Sequence, residues 1–266
     1  MLSHGLLLNK YDRMNRSREG KTTHFGYQQV PVEEKARLVG AIFDSVASRY
    51  DLLNDVMSFG MHRLWRRFAV GASGARAGSR ILDLAGGTGE FTARLASQVG
   101  PEGLVVLAEI NETMLRLGRE RLVGRGIESG VELVQADAEK LPFAEDYFDC
   151  ATMAFGLRNV TDQDAVLAAT YRVLKPGAPV IILEFSHPTI WGFSSLYDLY
   201  SFLVMPVMGR LVAGNGGGYR YLAESIRVHP DQVTLKGMME DAGFERCEYL
   251  NLSGGIVAVH RGFKPV

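Results

Sequence analysis

From Arg80 onward the chain alternates two hydrophobic periods, and that alternation limits what it can fold into. Short apolar runs RILDLA (80–85), LVVLAEI (104–110), VELVQAD (131–137), DCATMAF (149–155) and PVIILEF (179–185) read as buried strands. Helical patterns lie between several of them. Phe91 to Val99 is one; Glu112 to Val123 is another, with Met114, Leu115, Leu117 and Leu122 on its apolar side; Asp164 to Leu174 is a third. Parallel neighbours need a long crossover, which a helix supplies, so the pattern predicts a parallel sheet with helices on both faces. The end of the chain differs. After a helix near Asp231–Ala242, FERCEYLNL (244–252) and GIVAVHRG (255–262) are joined only by Ser253 and Gly254. So short a joint permits an antiparallel pair but not a parallel crossover.

A length of 266 residues suits one α/β domain with an extension or insertion, and 47% apolar residues supply a sizeable core. The expected division is a flexible segment 1–25 and a single domain 26–266, with a helical cover at 30–75 and an insertion at 187–225. A net charge of −1 argues against a broad phosphate-binding surface and so against nucleic acid. Cys150 and Cys247 both sit in apolar runs and read as core residues of a cytoplasmic protein. No His/Cys/Asp spacing suggests a metal site. HGLLLNK is too short for a signal-peptide core, and the apolar region 190–214 is interrupted by Asp198, Pro206 and Arg210, so it is a poor membrane span.

The first strand runs into DLAGGTGEF (83–91), and a helix follows. Glycines there let the backbone approach a ligand, and the free N–H groups of the helix start suit a carboxylate or phosphate. A Walker loop is excluded because Gly-Lys-Ser/Thr is absent, and a dinucleotide G-x-G-x-x-G fails at Thr92. An acid at the strand end, Asp83, beside the loop Gly87-Thr88-Gly89 suits the ammonium and carboxylate of S-adenosylmethionine. Glu109, at the end of the second strand, is placed to accept both ribose hydroxyls of either S-adenosylmethionine or NAD. In QADA (135–138), Asp137 is placed to accept from an adenine amino group, with the Ala138 N–H donating to the ring, or else to cap a helix. Asp83-x-Ala85-x-Gly87-x-Gly89 resembles the methyltransferase motif D-x-G-x-G-x-G, with Ala85 in place of the first glycine.

Several longer segments resemble one family. YDLLNDVMSFGMHRLW (50–65), LDLAGGTGEFTA (82–93), FGLRNVTD (155–162), YRVLKPGAPVIILEFS (171–186) and YRYLAESIRVHPDQ (219–232) look like the ubiquinone/menaquinone C-methyltransferases (UbiE type), and THFGY (23–27) matches their N-terminal lead. The likeness spans about residues 22–264. It implies the class I methyltransferase fold, a Rossmann-like seven-stranded, mostly parallel sheet with an antiparallel C-terminal hairpin, an N-terminal helical extension and a helical insertion after strand five. It implies methyl transfer from S-adenosylmethionine to a ring carbon of a polyprenylated quinol. Three positions depart from the pattern: Glu109 stands for a usual Asp, Ala178 for the second glycine of K-P-G-G, and Ala154, on the cofactor side of strand four, for a frequent serine.

Arg158, following strand four in FGLRN, is the first candidate for catalysis, as a fixed cation for a phenolate, against a structural salt bridge. Asn159 beside it would orient a quinol oxygen or cap a helix. Tyr50, Asn54 and Met57 share one helix face that would close over the cofactor, with Tyr50 a candidate for catalysis and Asn54 for binding the acceptor. His62, after a break at Ser58-Phe59-Gly60, is a candidate base, although a lone His is more often structural. The insertion carries Tyr197 and Tyr200 among other aromatics, read as a lid on the quinol head or as a helix packed on the core. A prenyl tail implies transient contact with the inner face of a membrane, and a quinone-synthesis complex or homodimer is a further expected association. Two rivals stand beside this reading: an NAD-dependent reductase, and a non-catalytic subunit of a quinone-synthesis complex.

Overall fold

A computed structural model describes residues 21–127, 129–189 and 217–266. Strands β3 (Arg80–Leu84), β4 (Leu104–Glu109), β5 (Val131–Gln135), β6 (Cys150–Ala154) and β7 (Pro179–Phe185) are the five apolar runs, and all five pair in parallel. Strands β8 (Glu245–Leu252) and β9 (Val257–Phe263) complete a seven-stranded sheet of order β5-β4-β3-β6-β7-β9-β8. The joint between the last two is a short helical turn, Ser253–Gly255, a little longer than the sequence suggests. That turn lets β9 slot antiparallel between β7 and β8, so the chain's last strand is internal and β8 is the edge.

The connecting helices are α4 (Glu90–Val99), α5 (Glu112–Gly124), α6 (Gln163–Val173) and, after the insertion, α7 (Gly217–Val228) and α8 (Gln232–Asp241). Asn111, Asp162 and Asp231 cap α5, α6 and α8, each side chain accepting a backbone N–H from three residues on. Alternate residues of each strand point to opposite faces, which splits the core in two. Leu82, Val106, Ala151 and Ile182 pack on one side with α6 and α8; Ile81, Val105, Cys150 and Ile181 pack on the other with α4 and the N-terminal helices. Cys150 and Cys247 are buried free thiols.

Ahead of the sheet come a small hairpin, β1 (Thr22–Phe25) and β2 (Gln28–Pro31), then helices α1 (Val32–Val46), α2 (Tyr50–Ser58) and α3 (Met61–Ala72). Regular structure therefore begins before residue 26, where the sequence reading places the domain boundary. The break between α2 and α3 falls at Phe59 (φ 49°) and Gly60 (φ 74°), both left-handed, as the Ser58-Phe59-Gly60 reading expects. Trp65 of α3 ties this extension to the sheet, its Nε1–H donating to Ser253 Oγ at 2.9 Å. Residues 1–20 and 190–216, the core of the expected insertion with Tyr197 and Tyr200, lie outside the described residues. No helix among the described residues is long and apolar enough to cross a membrane.

Candidate active site

The sheet order reverses between β3 and β6: the chain leaves β3 towards β4 and β5, then returns to β6 and β7 on the other side. Beyond the carboxyl ends of those two strands lies the crevice where open α/β sheets bind ligands. A cavity of about 230 Å³ occupies it, with Ala85 and Gly87 on one wall, Glu109 and Asn111 on a second, Asp137 and Ala138 on a third, and Ala154 to Gly156 on the fourth. Helix α1 roofs it with Ala36, Val39, Gly40 and Phe43, and Tyr50 closes one end. Most of the residues that roof it come from α1, which carries no conspicuous motif.

Both strand ends are strained. Ala85 (φ 50°) and Phe155 (φ 60°) adopt the left-handed conformation without being glycine. The Ala85 methyl then leaves no room opposite: a Cβ on Gly156 would lie 2.7 Å from it. Glu109 is 8% exposed, and its two oxygens accept the Gly87 N–H (3.0 Å) and the Asn111 N–H (2.9 Å). Burial raises its carboxyl above the usual range, partly opposed by those N–H groups. Asp137 Oδ1 accepts the Glu139 N–H at 2.9 Å, so the side chain both caps a turn and lines the cavity.

Three of the expected cofactor residues do not line the cavity. Asp83 is buried beneath the loop, where Oδ2 accepts from Thr92 Oγ at 2.6 Å and Oδ1 from Thr152 Oγ at 3.0 Å. Its position on the strand puts it on the α4 side, opposite Thr152 in register, and not at the crevice. Burial pushes this carboxyl up to about 6, against the pull of the two hydroxyls and of Arg66. Thr88 turns towards α2, donating to Asp51 Oδ1 at 3.4 Å, and Gly89 caps α4. Asp51 also pairs with Arg121 of α5, so one acid clips α2 to both the loop and the neighbouring helix.

A second, smaller cavity of about 80 Å³ adjoins the first and shares Phe43, Tyr50 and Asn159 with it. Tyr50, Asn54 and Met57, the predicted helix face, line it together. Opposite stand Arg158, Tyr219 and Tyr221. Asn159 Oδ1 accepts from the Tyr221 hydroxyl at 3.1 Å, and Phe25 of the N-terminal hairpin stacks on the Tyr221 ring at 4.6 Å. Tyr219, Tyr221 and the roof residues of α1 were not singled out from sequence. The YRY pair sits at the start of a motif, YRYLAESIRVHPDQ, whose length was the signal.

Arg158 stands where the sequence places it, but not as a lone cation. Its Nη1 donates to Glu184 Oε1 and to the Phe155 carbonyl, both at 2.7 Å, and its guanidinium lies 5.1 Å over the Phe185 ring. His62 lines neither cavity. It is buried in the α2–α3 corner, with Nδ1 2.8 Å from Ser58 Oγ and Nε2 3.7 Å from carboxylate oxygens of both Asp55 and Glu90. Glu90 also accepts from Arg66 at 2.5 Å. Burial would raise the Glu90 carboxyl, but His62, Arg66 and Arg94 outweigh it and hold it at about 2. The corner chemistry is structural: it fixes two short helices to the start of α4.

A glycine loop at a sheet switch point, a carboxylate at the end of the second strand and a polar residue at the end of the third define a class I S-adenosylmethionine-dependent methyltransferase. The model of the ubiE/COQ5 methyltransferase family matches residues 29–264, and the chain belongs to that family. Named "Ubiquinone/menaquinone biosynthesis C-methyltransferase UbiE", a protein of Pseudomonas putida (strain W619) is 58% identical over 256 residues, covering 95% of this chain and all of its own. One of the same name from Yersinia pestis (strain Pestoides F) is 58% identical over 246 residues, covering 92% of this chain and 98% of its own. Among solved structures, a SAM dependent methyltransferase from Aquifex aeolicus superposes with a TM-score of 0.56 at 18% identity, over 74% of this chain and 88% of its own, a likeness of fold.

Proposed function

We propose that the chain transfers the methyl group of S-adenosylmethionine to a ring carbon of a polyprenylated quinol in menaquinone synthesis, ubiquinone synthesis or both. The observation that carries this is the pair of adjoining cavities that meet at Tyr50 and Asn159. One has the walls a nucleoside needs, and the other has aromatic and amide walls and an arginine, which suit a phenolic ring. Bound in the larger cavity, S-adenosylmethionine supplies an electrophilic methyl on its sulfonium.

The residues fit that group. Glu109 would accept from ribose hydroxyls, and Asp137 with the Ala138 N–H would meet the adenine. Gly87 and Ala154 line the two remaining walls without side-chain bulk. On the acceptor side, an ionised quinol oxygen makes its ortho and para ring carbons nucleophilic. Arg158 would stabilise that oxygen, and Asn54 and Asn159 would orient the ring. Holding both reactants in line is worth up to about 7–11 kcal/mol in well-oriented cases. After the carbon–carbon bond has formed, the ring carbon must give up its proton to a base to restore the aromatic ring. His62 lines neither cavity, so no role in the transfer is proposed for it.

Contact with the inner face of a membrane belongs to the same proposal. A prenyl tail is insoluble, and an enzyme that handles it must meet the bilayer at least transiently. An association with a quinone-synthesis complex or a second copy is compatible with it. Complementation tests the function: strains lacking this methylation, supplied with the chain, should regain methylated menaquinone or ubiquinone in lipid extracts read by mass. Extracts holding only unmethylated precursors would overturn it.

A further inference from the structure

We infer that Glu184 is a positioning residue for methyl transfer, acting through Arg158; this rests on the proposed function, in which Arg158 faces the acceptor. Glu184 sits near the end of β7, next to Phe185, and is 1% exposed. An acid inside the apolar run PVIILEF is costly to bury unless it is paired and hydrogen-bonded. Here it is fully engaged. Oε1 accepts from Arg158 Nη1 at 2.7 Å and from the Phe185 N–H at 2.8 Å, and Oε2 accepts from the Arg158 N–H at 3.3 Å. One carboxylate therefore grips Arg158 twice, at the guanidinium and at the backbone, and is itself anchored to the sheet.

The grip has a direction. Nη1 is consumed by Glu184 and by the Phe155 carbonyl, and the guanidinium is laid across the Phe185 ring. Nη2 donates in none of these bonds, and Arg158 lines the smaller cavity as well as a neighbouring cleft beside Thr161 and His229. A salt bridge kept for stability alone has no need to sit on that wall, and buried pairs are weak sources of stability in any case. The arrangement instead offers a cation whose orientation is fixed and whose charge is partly balanced before an acceptor arrives, as preorganised electrostatic stabilisation requires.

The test compares Glu184→Gln, Arg158→Ala and the double variant with the wild type. The readouts are S-adenosylhomocysteine affinity by calorimetry, kcat and KM for a reduced prenylated quinol, and the pH profile of kcat. Glu184→Gln should bind S-adenosylhomocysteine within about threefold of wild type, lose roughly 10–100-fold in kcat, and move the acidic limb of its profile to lower pH. The limb moves because an unbalanced guanidinium favours the phenolate; Tyr221 and His229 also feel both charges, so the double variant decides whether the shift runs through Arg158. If Glu184 acts through Arg158, the double variant loses no more than Arg158→Ala alone. That double also removes both buried charges together, so it answers even if Glu184→Gln fails to fold. Wild-type kcat and profile in a folded Glu184→Gln, or losses that multiply in the double, overturn the inference. A wild-type protein that methylates no prenylated quinol overturns the proposed function instead.

Discussion

Gly156 is a glycine because Ala85 is not one. The backbone at Gly156 (φ −105°, ψ −35°) is open to any residue, so alanine there meets no conformational objection. What it meets is the Ala85 methyl at 2.7 Å and Met153 Cγ at 3.2 Å. Carbon atoms rest at about 3.5–4.0 Å, so the overlap with Ala85 approaches 1 Å. Overpacking of this size costs about 1–3 kcal/mol, and the lower chain entropy of the unfolded alanine variant returns about 0.4–1 kcal/mol. Gly156→Ala should therefore destabilise by about 1–2 kcal/mol, lowering Tm by roughly 2–8 °C at about 2–4 °C per kcal/mol. Ala85→Gly removes the methyl and the left-handed strain of an alanine (φ 50°), worth about 1–2 kcal/mol, against a similar gain in unfolded-state entropy. On its own it should be near neutral. Combined, the two changes should recover more than half of the Gly156→Ala loss. The assay is thermal and urea unfolding of all four proteins, with S-adenosylhomocysteine affinity measured alongside, because both residues line the cofactor cavity. Strict additivity, or a Gly156→Ala protein as stable as wild type, would refute this packing argument.

S-adenosylhomocysteine at about 100 times its Kd should stabilise by about 2.7 kcal/mol, a rise in Tm of roughly 5–10 °C, with no rise from NADH; the reverse result would favour a reductase. His62→Ala should lower stability while leaving the shape of the kcat–pH profile unchanged, and loss of one limb would restore His62 as a base. Asp83 has a folded pKa of about 6 against an ordinary 3.8, so its contribution to stability falls as pH rises from about 4 to about 6. Asp83→Asn should therefore gain on wild type across that window in urea titrations, by roughly 3 kcal/mol at most, and a constant difference would argue against a buried carboxylate. Glu90, held at about 2, has the opposite sign: its contribution is present above about 4.5 and lost as pH falls towards 2, so wild type and Glu90→Gln should converge in acid.

The alternation of periods from Arg80 to the C-terminus was readable because a parallel sheet covered on both faces leaves near-continuous apolar runs. The loop and the acids after it were readable because their positions follow from strand ends. Rotation about the strand is less legible. Asp83 was placed on the ligand, yet it shares a face with Ile81 and lies opposite Thr152 in register, which points it under α4. Parity along the run would have shown this. The helix face of Tyr50, Asn54 and Met57 was recovered from 3.6-residue spacing alone. The surroundings of His62 are not legible in the sequence, because its partners are set by how two helices fold back on each other: Asp55 and Ser58 precede it nearby, but Glu90 lies 28 residues on. Glu184 and Arg158 are separated by helix α6 and most of β7, the strand that carries Glu184, and nothing in either segment names the other. The N-terminal hairpin left a signal that was passed over: in THFGYQQV, Gly26 takes φ 60° at a two-residue turn.

The central claim is that two adjoining cavities bring a sulfonium methyl to a quinol ring. Purified protein, S-adenosylmethionine labelled on its methyl group, and a reduced prenylated quinol lacking the methyl test it directly. The predicted result is label on a ring carbon of the extracted lipid, with S-adenosylhomocysteine formed in equal amount and the signal abolished by Asn159→Ala together with Arg158→Ala. Cofactor binding without label in the lipid, under conditions that keep the quinol reduced, would contradict it.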